Sequence, residues 1–228
     1  MNSILIIGLG FLAQGLFFIR TIAQWFKSEQ EGEVISPIVY WQISLVASIL
    51  MLTYGILRND FAIVVGQSLV YSIYIRNLQL KKVWNKMHLI SRSLFVLIPI
   101  AYWVWLIYSG NINSILKNES VSLFWMVWGT IAQLIFISRF FYQWIHSEKE
   151  KESLFPLGFW IISTFGSLMI FTYSVARIDP VLFASHSMGL FVYFRNILLH
   201  YGKGSLFEKF GDIPALNKLI GKVSNKIK

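Results

Sequence analysis

Residues 20–29 read RTIAQWFKSE, and residues 139–148 read RFFYQWIHSE. The two stretches share Arg, Gln-Trp and Ser-Glu at one spacing, and each closes a long apolar run. A shift of 119 residues extends the match, with no gap, from 10–80 onto 129–199. Gln14 meets Gln133, Pro37 meets Pro156, and Trp41 meets Trp160. Ser44 and Ser48 meet Ser163 and Ser167, and Thr53-Tyr54 meets Thr172-Tyr173. Arg58 and Asp60 meet Arg177 and Asp179, while Tyr74, Arg76 and Asn77 meet Tyr193, Arg195 and Asn196. Apolar composition alone does not produce polar and aromatic identities of this density, so the chain is an internal duplication.

Apolar stretches of about 20 residues, the length a bilayer core requires, fall at 4–26, 36–57, 61–80, 92–109, 122–145, 155–176 and 180–200. Each copy takes three of them. The one left over, around Leu94 to Tyr108, has no counterpart. Three helices reverse the direction of the chain and one more restores it. The copies should therefore run parallel, about a pseudo-two-fold axis along the membrane normal. The expected fold class is an all-α integral membrane protein with seven transmembrane helices, two parallel three-helix bundles joined by a linker helix. The expected division is a first repeat over 1–86, a linker helix over 87–118, a second repeat over 119–202, and a basic amphipathic tail over 203–228.

Composition agrees with a lipid solvent. The 228 residues are 56% hydrophobic and 14% charged, with a mean hydropathy of +0.60, whereas soluble domains carry about 25% charged residues. The charges bunch at the ends of apolar runs. No cysteine is present, which excludes disulfides, thiolate nucleophiles and Cys-ligated metals. The net charge of +9, with no basic stripe on a soluble domain, speaks for membrane head groups and against nucleic acid. Met1-Asn2-Ser3 offers no basic n-region, and the apolar run continues to Phe26 without a small-residue cleavage site. It reads as a retained helix and not as a signal peptide.

Lys27, Lys81, Lys82, Lys86, Lys149, Lys151 and the lysine-rich tail fall on one set of connections; Arg58, Lys117 and Arg177 fall on the other. The positive-inside rule makes the first set cytoplasmic, with the N-terminus outside (periplasmic, if the membrane is a bacterial inner membrane) and the C-terminus cytoplasmic. Beyond Asp212, the residues Leu216, Leu219, Ile220, Val223 and Ile227 share one helical face and the lysines mostly point elsewhere. This pattern predicts an interfacial helix drawn to anionic lipid.

Polar side chains within a span are expensive and mark candidate function. Arg20 and Gln24 are i,i+4 neighbours on the first helix, and Arg139 with Gln143 repeats them. Gln67, Tyr71, Tyr74 and Asn77 share a face of the third helix; His186, Tyr193 and Asn196 follow in the second copy. Trp41, Ser44 and Ser48 share a face of the second helix, repeated as Trp160, Ser163 and Ser167, although small residues also mark close packing. Arg20, Arg76, Arg139 and Arg195 lie toward one end with Pro37 and Pro156, which open helices. Four guanidiniums and two helix N-termini at one depth suit a phosphate. The alternative is that the arginines reach head groups or pair with Glu29 and Glu148. The candidate substrate-binding set is Gln14, Arg20, Gln24, Trp41, Gln67, Tyr74, Arg76 and Asn77, and in the second copy Gln133, Arg139, Gln143, Trp160, His186, Tyr193, Arg195 and Asn196. Arg58/Asp60 and Arg177/Asp179 read as turn ties. His186, which replaces Gln67, reads as a hydrogen-bonded interior histidine or a proton-linked group. Trp25, Trp103 and Trp144 read as membrane anchors.

The chain has no phosphate-binding Walker loop, no dinucleotide fingerprint, no metalloprotease HExxH and no nucleophile elbow, and no pair of carboxylates lies within a span. No catalytic residue, metal site or cofactor is expected. A lipid-modifying enzyme would have to rest on His186 and the arginines alone.

Ser138-Arg139-Phe140, Gln143-Trp144, Ser147-Glu148, Pro156, Phe159-Trp160, Ser163, Gly166, Tyr173, Asp179-Pro180-Val181 and Tyr193-Phe194-Arg195-Asn196 resemble the lipid A biosynthesis N-terminal domain family. The first copy departs from that pattern, with Asp60-Phe61-Ala62 for Asp-Pro-Val and Ala47 where Gly166 stands. More distantly, the three-plus-one-plus-three layout is similar to PQ-loop and SWEET transporters, without their Pro-Gln dipeptide. The resemblance implies a bacterial inner-membrane protein whose partner is an anionic lipid or a polyprenyl-phosphate-linked sugar. The parallel duplication and the polar residues Arg20, Arg139, Gln14, Gln133, Tyr74 and Tyr193 within the spans point to a transporter or flippase, and the resemblance points to a non-catalytic accessory that anchors or presents lipid to a glycosyltransferase.

Overall fold

The structure, a computed structural model, describes residues 3–57, 61–109, 123–177 and 180–204. It is all-helical, with no strand among the described residues. Helices α1 (Ser3–Glu31), α2 (Ile38–Leu57) and α3 (Phe61–Leu80) form the first unit. A 3₁₀ turn (Trp84–Lys86) leads to α4 (Leu89–Tyr108), and α5 (Leu123–Glu150), α6 (Leu157–Arg177) and α7 (Pro180–His200) form the second unit. The turn pairs Arg58/Asp60 and Arg177/Asp179, Lys117 and the amphipathic tail lie outside the described residues or side chains.

Among the described residues four helices, α1 from Ile4 onward, α2, α4 and α6 to Ala176, are long and apolar enough to cross a membrane. Helices α3, α5 and α7 have 20, 28 and 21 residues but carry glutamine, asparagine, arginine or histidine along their length. The burial pattern is inverted relative to a soluble domain. Ile4, Leu97, Phe165 and Phe194 are exposed, while Arg20, Gln24, Glu29, Asn77, Arg139, Gln143 and Asn196 are buried. Lipid solvates the apolar outside, and polar groups can be satisfied only inside. The chain is a membrane-associated protein.

Two expected connections are shorter than the sequence reading had them. Lys27 to Glu31 and His146 to Glu150 continue α1 and α5, and do not form loops. The helices run on until Gly32 and Lys151, equivalent positions of the two copies, turn left-handed at φ 74° and 56°. A left-handed residue just past the last turn ends a helix. Ser28 and Ser147 then accept the backbone N–H of Ile35 and Leu154, both at 3.1 Å, which folds each connection back onto its helix. Pro37 and Pro156 sit just before α2 and α6, and their carbonyls accept the first-turn amides of Tyr40 and Phe159.

Each unit packs its three helices in sequence, and the units meet through α1 against α7 and α3 against α5. Between lipid-exposed helices there is no hydrophobic drive to associate, so close packing and hydrogen bonds hold them. The core at this join is aromatic: Trp41, Tyr74, Phe140, Phe155, Phe159, Trp160 and Tyr193. Phe155 stacks on Trp41 at 5.2 Å and lies 5.4 Å from Trp160, linking the two copies. Helix α4 docks on the first copy. Leu106 closes a small core with Leu52, Ile56 and Val64, and Trp103 donates to Ser68 at 2.8 Å. Trp103 is therefore bonded within the protein, and its indole is not a free interfacial anchor.

Candidate functional site

Arg20 and Arg139 are 4% and 5% exposed, deep in the join. Arg20 donates to Ser44, and Arg139 donates to Ser163 at 3.3 Å and to the Tyr193 hydroxyl at 3.1 Å. Among the described residues no carboxylate pairs with either one. Aromatic rings take that place. The Arg20 guanidinium stands 4.4, 4.7 and 5.3 Å from the rings of Phe17, Tyr40 and Tyr74. Their counterparts Phe136, Phe159 and Tyr193 surround Arg139 at 3.6, 5.4 and 5.4 Å. Phe140 serves both, 5.5 Å from Arg20 and 4.7 Å from Arg139.

Rings offset part of the cost of burying a cation, about 2 kcal/mol each at best when desolvated. A lone buried charge costs far more than that. The Nε–H of each arginine is also buried with no hydrogen-bond partner among the described residues. Two buried cations with spare donors and no counter-ion among the described residues make a candidate anion site, and guanidinium geometry matches phosphate.

A second polar layer fastens the copies near the ends of α1 and α5. Gln24 and Asn196 exchange amide hydrogen bonds at 2.9 and 3.3 Å, across α1 and α7. Gln143 and Asn77 do the same at 2.8 and 3.1 Å, across α5 and α3. Each amide is further held by its own helix: Asn196 by the Val192 carbonyl, Asn77 by that of Ile73, Gln24 by Ser28 and Gln143 by Ser147. Beside each amide pair lies an ion pair. Arg195 donates to both oxygens of Glu29, and Arg76 to both of Glu148. Trp25 and Trp144, read from sequence as anchors, donate their indole N–H to the same glutamates at 2.9 and 3.0 Å. The hydrogen bonds from Arg76 hold the Glu148 carboxyl well below its ordinary value, at about 2. Because the C-terminal turns of α1 and α7 meet here, those helices run in one direction, as do α3 and α5.

The remaining candidates fall around these two layers. Gln67 accepts from Ser48 at 2.6 Å, and His186 bonds Ser167 through Nδ1 at 2.7 Å, so the histidine replaces the glutamine in one and the same contact. Trp41 donates to Ser36 at 2.8 Å. Trp160 has Phe155 where the first copy has Ser36, and its indole N–H is left without a partner among the described residues. Tyr74 and Tyr193 border the arginines. Gln14 and Gln133 are half-buried.

Sequence reasoning passed over Phe17, Tyr40, Phe136, Ser36 and Ser153, and named Phe140 only within a motif. An aromatic residue three positions before each arginine, Phe17 and Phe136, was a visible signal. Ser153 donates to Asn77 at 2.6 Å and touches Ser36 at 2.9 Å, a link between the copies that no repeat position announces.

Fold and site together define a membrane-associated helical protein made by tandem duplication, with two buried arginines where its halves meet. A family model described as the Lipid A Biosynthesis N-terminal domain matches residues 9–79 and 128–198. The chain belongs to that family. It is similar to the lipid-A-disaccharide synthase of Chlamydia felis (strain Fe/C-56), 29% identical over 219 residues that cover 88% of this chain and 34% of the relative. The lipid-A-disaccharide synthases of Chlamydia abortus (strain DSM 27085 / S26/3) and Chlamydia pneumoniae are 30% and 31% identical, covering 88% and 85% of this chain and 34% and 33% of theirs. The chain spans about a third of the length of these relatives. No solved structure gives a significant match. The comparisons return the first resemblance and not the more distant one to PQ-loop and SWEET transporters.

Proposed function

We propose that this chain is a membrane carrier in lipid A biosynthesis that binds a phosphate-bearing lipid between its two copies and moves it between leaflets. The observation that carries this reading is the pair Arg20 and Arg139, both buried and, among the described residues, both without a carboxylate and with an unpartnered Nε–H. The phosphate lies against the guanidiniums. Tyr74 and Tyr193 border it, and Gln67, His186, Gln14 and Gln133 stand where a sugar or glycerol hydroxyl can meet an amide or imidazole. Gln24, Asn77, Gln143, Asn196, Arg76 and Arg195 act as fasteners of the two copies, which rock against each other as in transporters built from parallel repeats. The membrane is the bacterial inner membrane, with lysine-bearing connections on the cytoplasmic side.

The test is lipid translocation in proteoliposomes, with wild type against Arg20→Gln/Arg139→Gln. The substitution should abolish movement of an anionic lipid while leaving the unfolding midpoint close to wild type. Unchanged movement would sink the mechanism.

One observation favours a second reading. The matched relatives are lipid-A-disaccharide synthases in which this region is about a third of the chain. In that reading the arginines present lipid to a glycosyltransferase. A transferase that keeps full activity in cells lacking this chain would count against it.

A further inference from the structure

Four arginines sit where the copies meet, and the fold treats them in two ways. Arg195 and Arg76 are matched one to one by carboxylates, Glu29 and Glu148. Arg20 and Arg139 have no carboxylate among the described residues. The buried side-chain atoms left there without a hydrogen-bond partner are all N–H donors: Nε of Arg20, Nε of Arg139 and Nε1 of Trp160. Trp160 lies 6.1 Å from the Tyr193 ring, which the Arg139 guanidinium faces at 5.4 Å. Among the described residues, this part of the core lacks acceptors and lacks negative charge, and the charge it lacks is that of two cations.

The two charges are close enough to be felt together. Both guanidiniums face the Phe140 ring, at 5.5 and 4.7 Å from its centroid. They therefore lie within about 10 Å of each other, a range at which a second cation in a partly screened interior changes the affinity for an anion by about tenfold or more. A ligand with one negative charge would leave one of the two buried cations unmatched, the arrangement that burial penalises most. A ligand with two would neutralise the site. A phosphodiester, the linkage of ordinary membrane phospholipids, carries one charge. A terminal phosphomonoester carries close to two at neutral pH and above.

We propose that the Arg20/Arg139 site selects a doubly charged phosphate head group, a terminal phosphomonoester, over the singly charged phosphodiester of bulk phospholipid. This inference rests on the phosphate reading above and narrows it to a substrate class. Selectivity comes from counting charges: each arginine matches one, and removal of either turns the site into one suited to a monoanion. A membrane protein surrounded by phosphodiesters needs such a device if its site is not to fill with them.

The test uses hexadecyl phosphate and hexadecyl methyl phosphate, which share one chain and differ by a methyl group that removes a charge. Both are titrated against the full chain in non-ionic detergent at about pH 9, where the monoester is a dianion. Wild type should bind the monoester about tenfold or more tightly than the diester. Arg20→Gln and Arg139→Gln, taken singly, should each lower that ratio by about the same factor, and Arg20→Lys, which keeps the charge, should preserve it. Equal affinity for the two probes in wild type would overturn the inference and leave the phosphate reading standing. So would a preference that both single Gln variants retain. Arg20→Gln/Arg139→Gln should lose both probes, and normal binding of both by that variant would overturn the phosphate reading itself. Methyl phosphate is titrated alongside: affinity equal to that of hexadecyl phosphate would support selection of a dianion but overturn its assignment to a lipid. The wild-type ratio requires no substitution, so a variant that fails to fold leaves the test in force.

Discussion

The Tyr71 hydroxyl donates to the backbone carbonyl of Phe95 at 2.8 Å, and Phe95 stands four residues before Pro99, the proline inside α4. Proline has no N–H, so the carbonyl four residues earlier loses its helical partner. In a membrane that group cannot turn to water. Tyr71 supplies the missing donor and pins the linker helix to the first copy. Tyr71→Phe should therefore destabilise the protein by about 1–3 kcal/mol, the cost of an unpaired buried acceptor. Adding Pro99→Ala restores an N–H and should recover most of the loss. Thermal unfolding in detergent, read as a double-mutant cycle, checks this, and strictly additive effects would disprove the link.

The two ion pairs that fasten the copies are equivalent in sequence but not in burial. Glu29 and Arg195 side chains are 0% and 7% exposed, whereas Glu148 and Arg76 are 27% and 39% exposed. Removing one partner of a buried pair strands the other charge and costs about 3–5 kcal/mol, while an exposed pair is worth about 1 kcal/mol or less. Glu29→Gln should lower the unfolding midpoint much more than Glu148→Gln does. Equal shifts would show that lipid head groups or water reach Arg195.

Helix positions were legible because a bilayer demands a length, and the helices fall where the apolar runs do. Their ends were less so: Lys27, Ser28 and Glu29 are polar, yet they stay helical because Gly32 supplies the stop. The arginine pair was legible from the repeat and from its depth in the spans. The partner of each polar residue was not. A repeat superposes Gln24 on Gln143 and Asn77 on Asn196, but cannot tell whether an amide bonds within its own copy or across to the other. The structure takes the second course, Gln24 with Asn196 and Gln143 with Asn77. That choice depends on how the units dock, a long-range property that helical spacing does not carry. The Tyr71–Phe95 bond escaped for the same reason.

Gly166, where the first copy has Ala47, answers to close packing. A Cβ there would lie 2.9 Å from Cα and 3.0 Å from N of Phe136, so the backbone of α5 itself would have to move. Overpacking of this kind costs about 1–3 kcal/mol. Gly166→Ala should destabilise the second copy by that order. It should also weaken anion binding, because the Phe136 ring lies 3.6 Å from the Arg139 guanidinium. Ala47→Gly, in the first copy, should cost only about 1 kcal/mol through helix propensity and leave binding intact. Unfolding and lipid titration of the two variants side by side decide the matter.

The Arg76–Glu148 pair gives the stability of the join a defined pH response. Glu148 has a folded value of about 2 against an ordinary 4.5, depressed chiefly by the hydrogen bonds from Arg76. A depressed carboxyl binds its proton more readily in the unfolded chain, so its contribution is whole above the ordinary value and is lost as pH falls through the folded one. The difference in unfolding midpoint between wild type and Glu148→Gln should hold constant down to pH 4.5 and vanish by about pH 2. The pair is partly exposed, so added salt should shrink that difference at every pH. A difference that grows on acidification would mean that Glu148 is protonated more easily in the folded protein, and that the pair with Arg76 does not persist in the membrane.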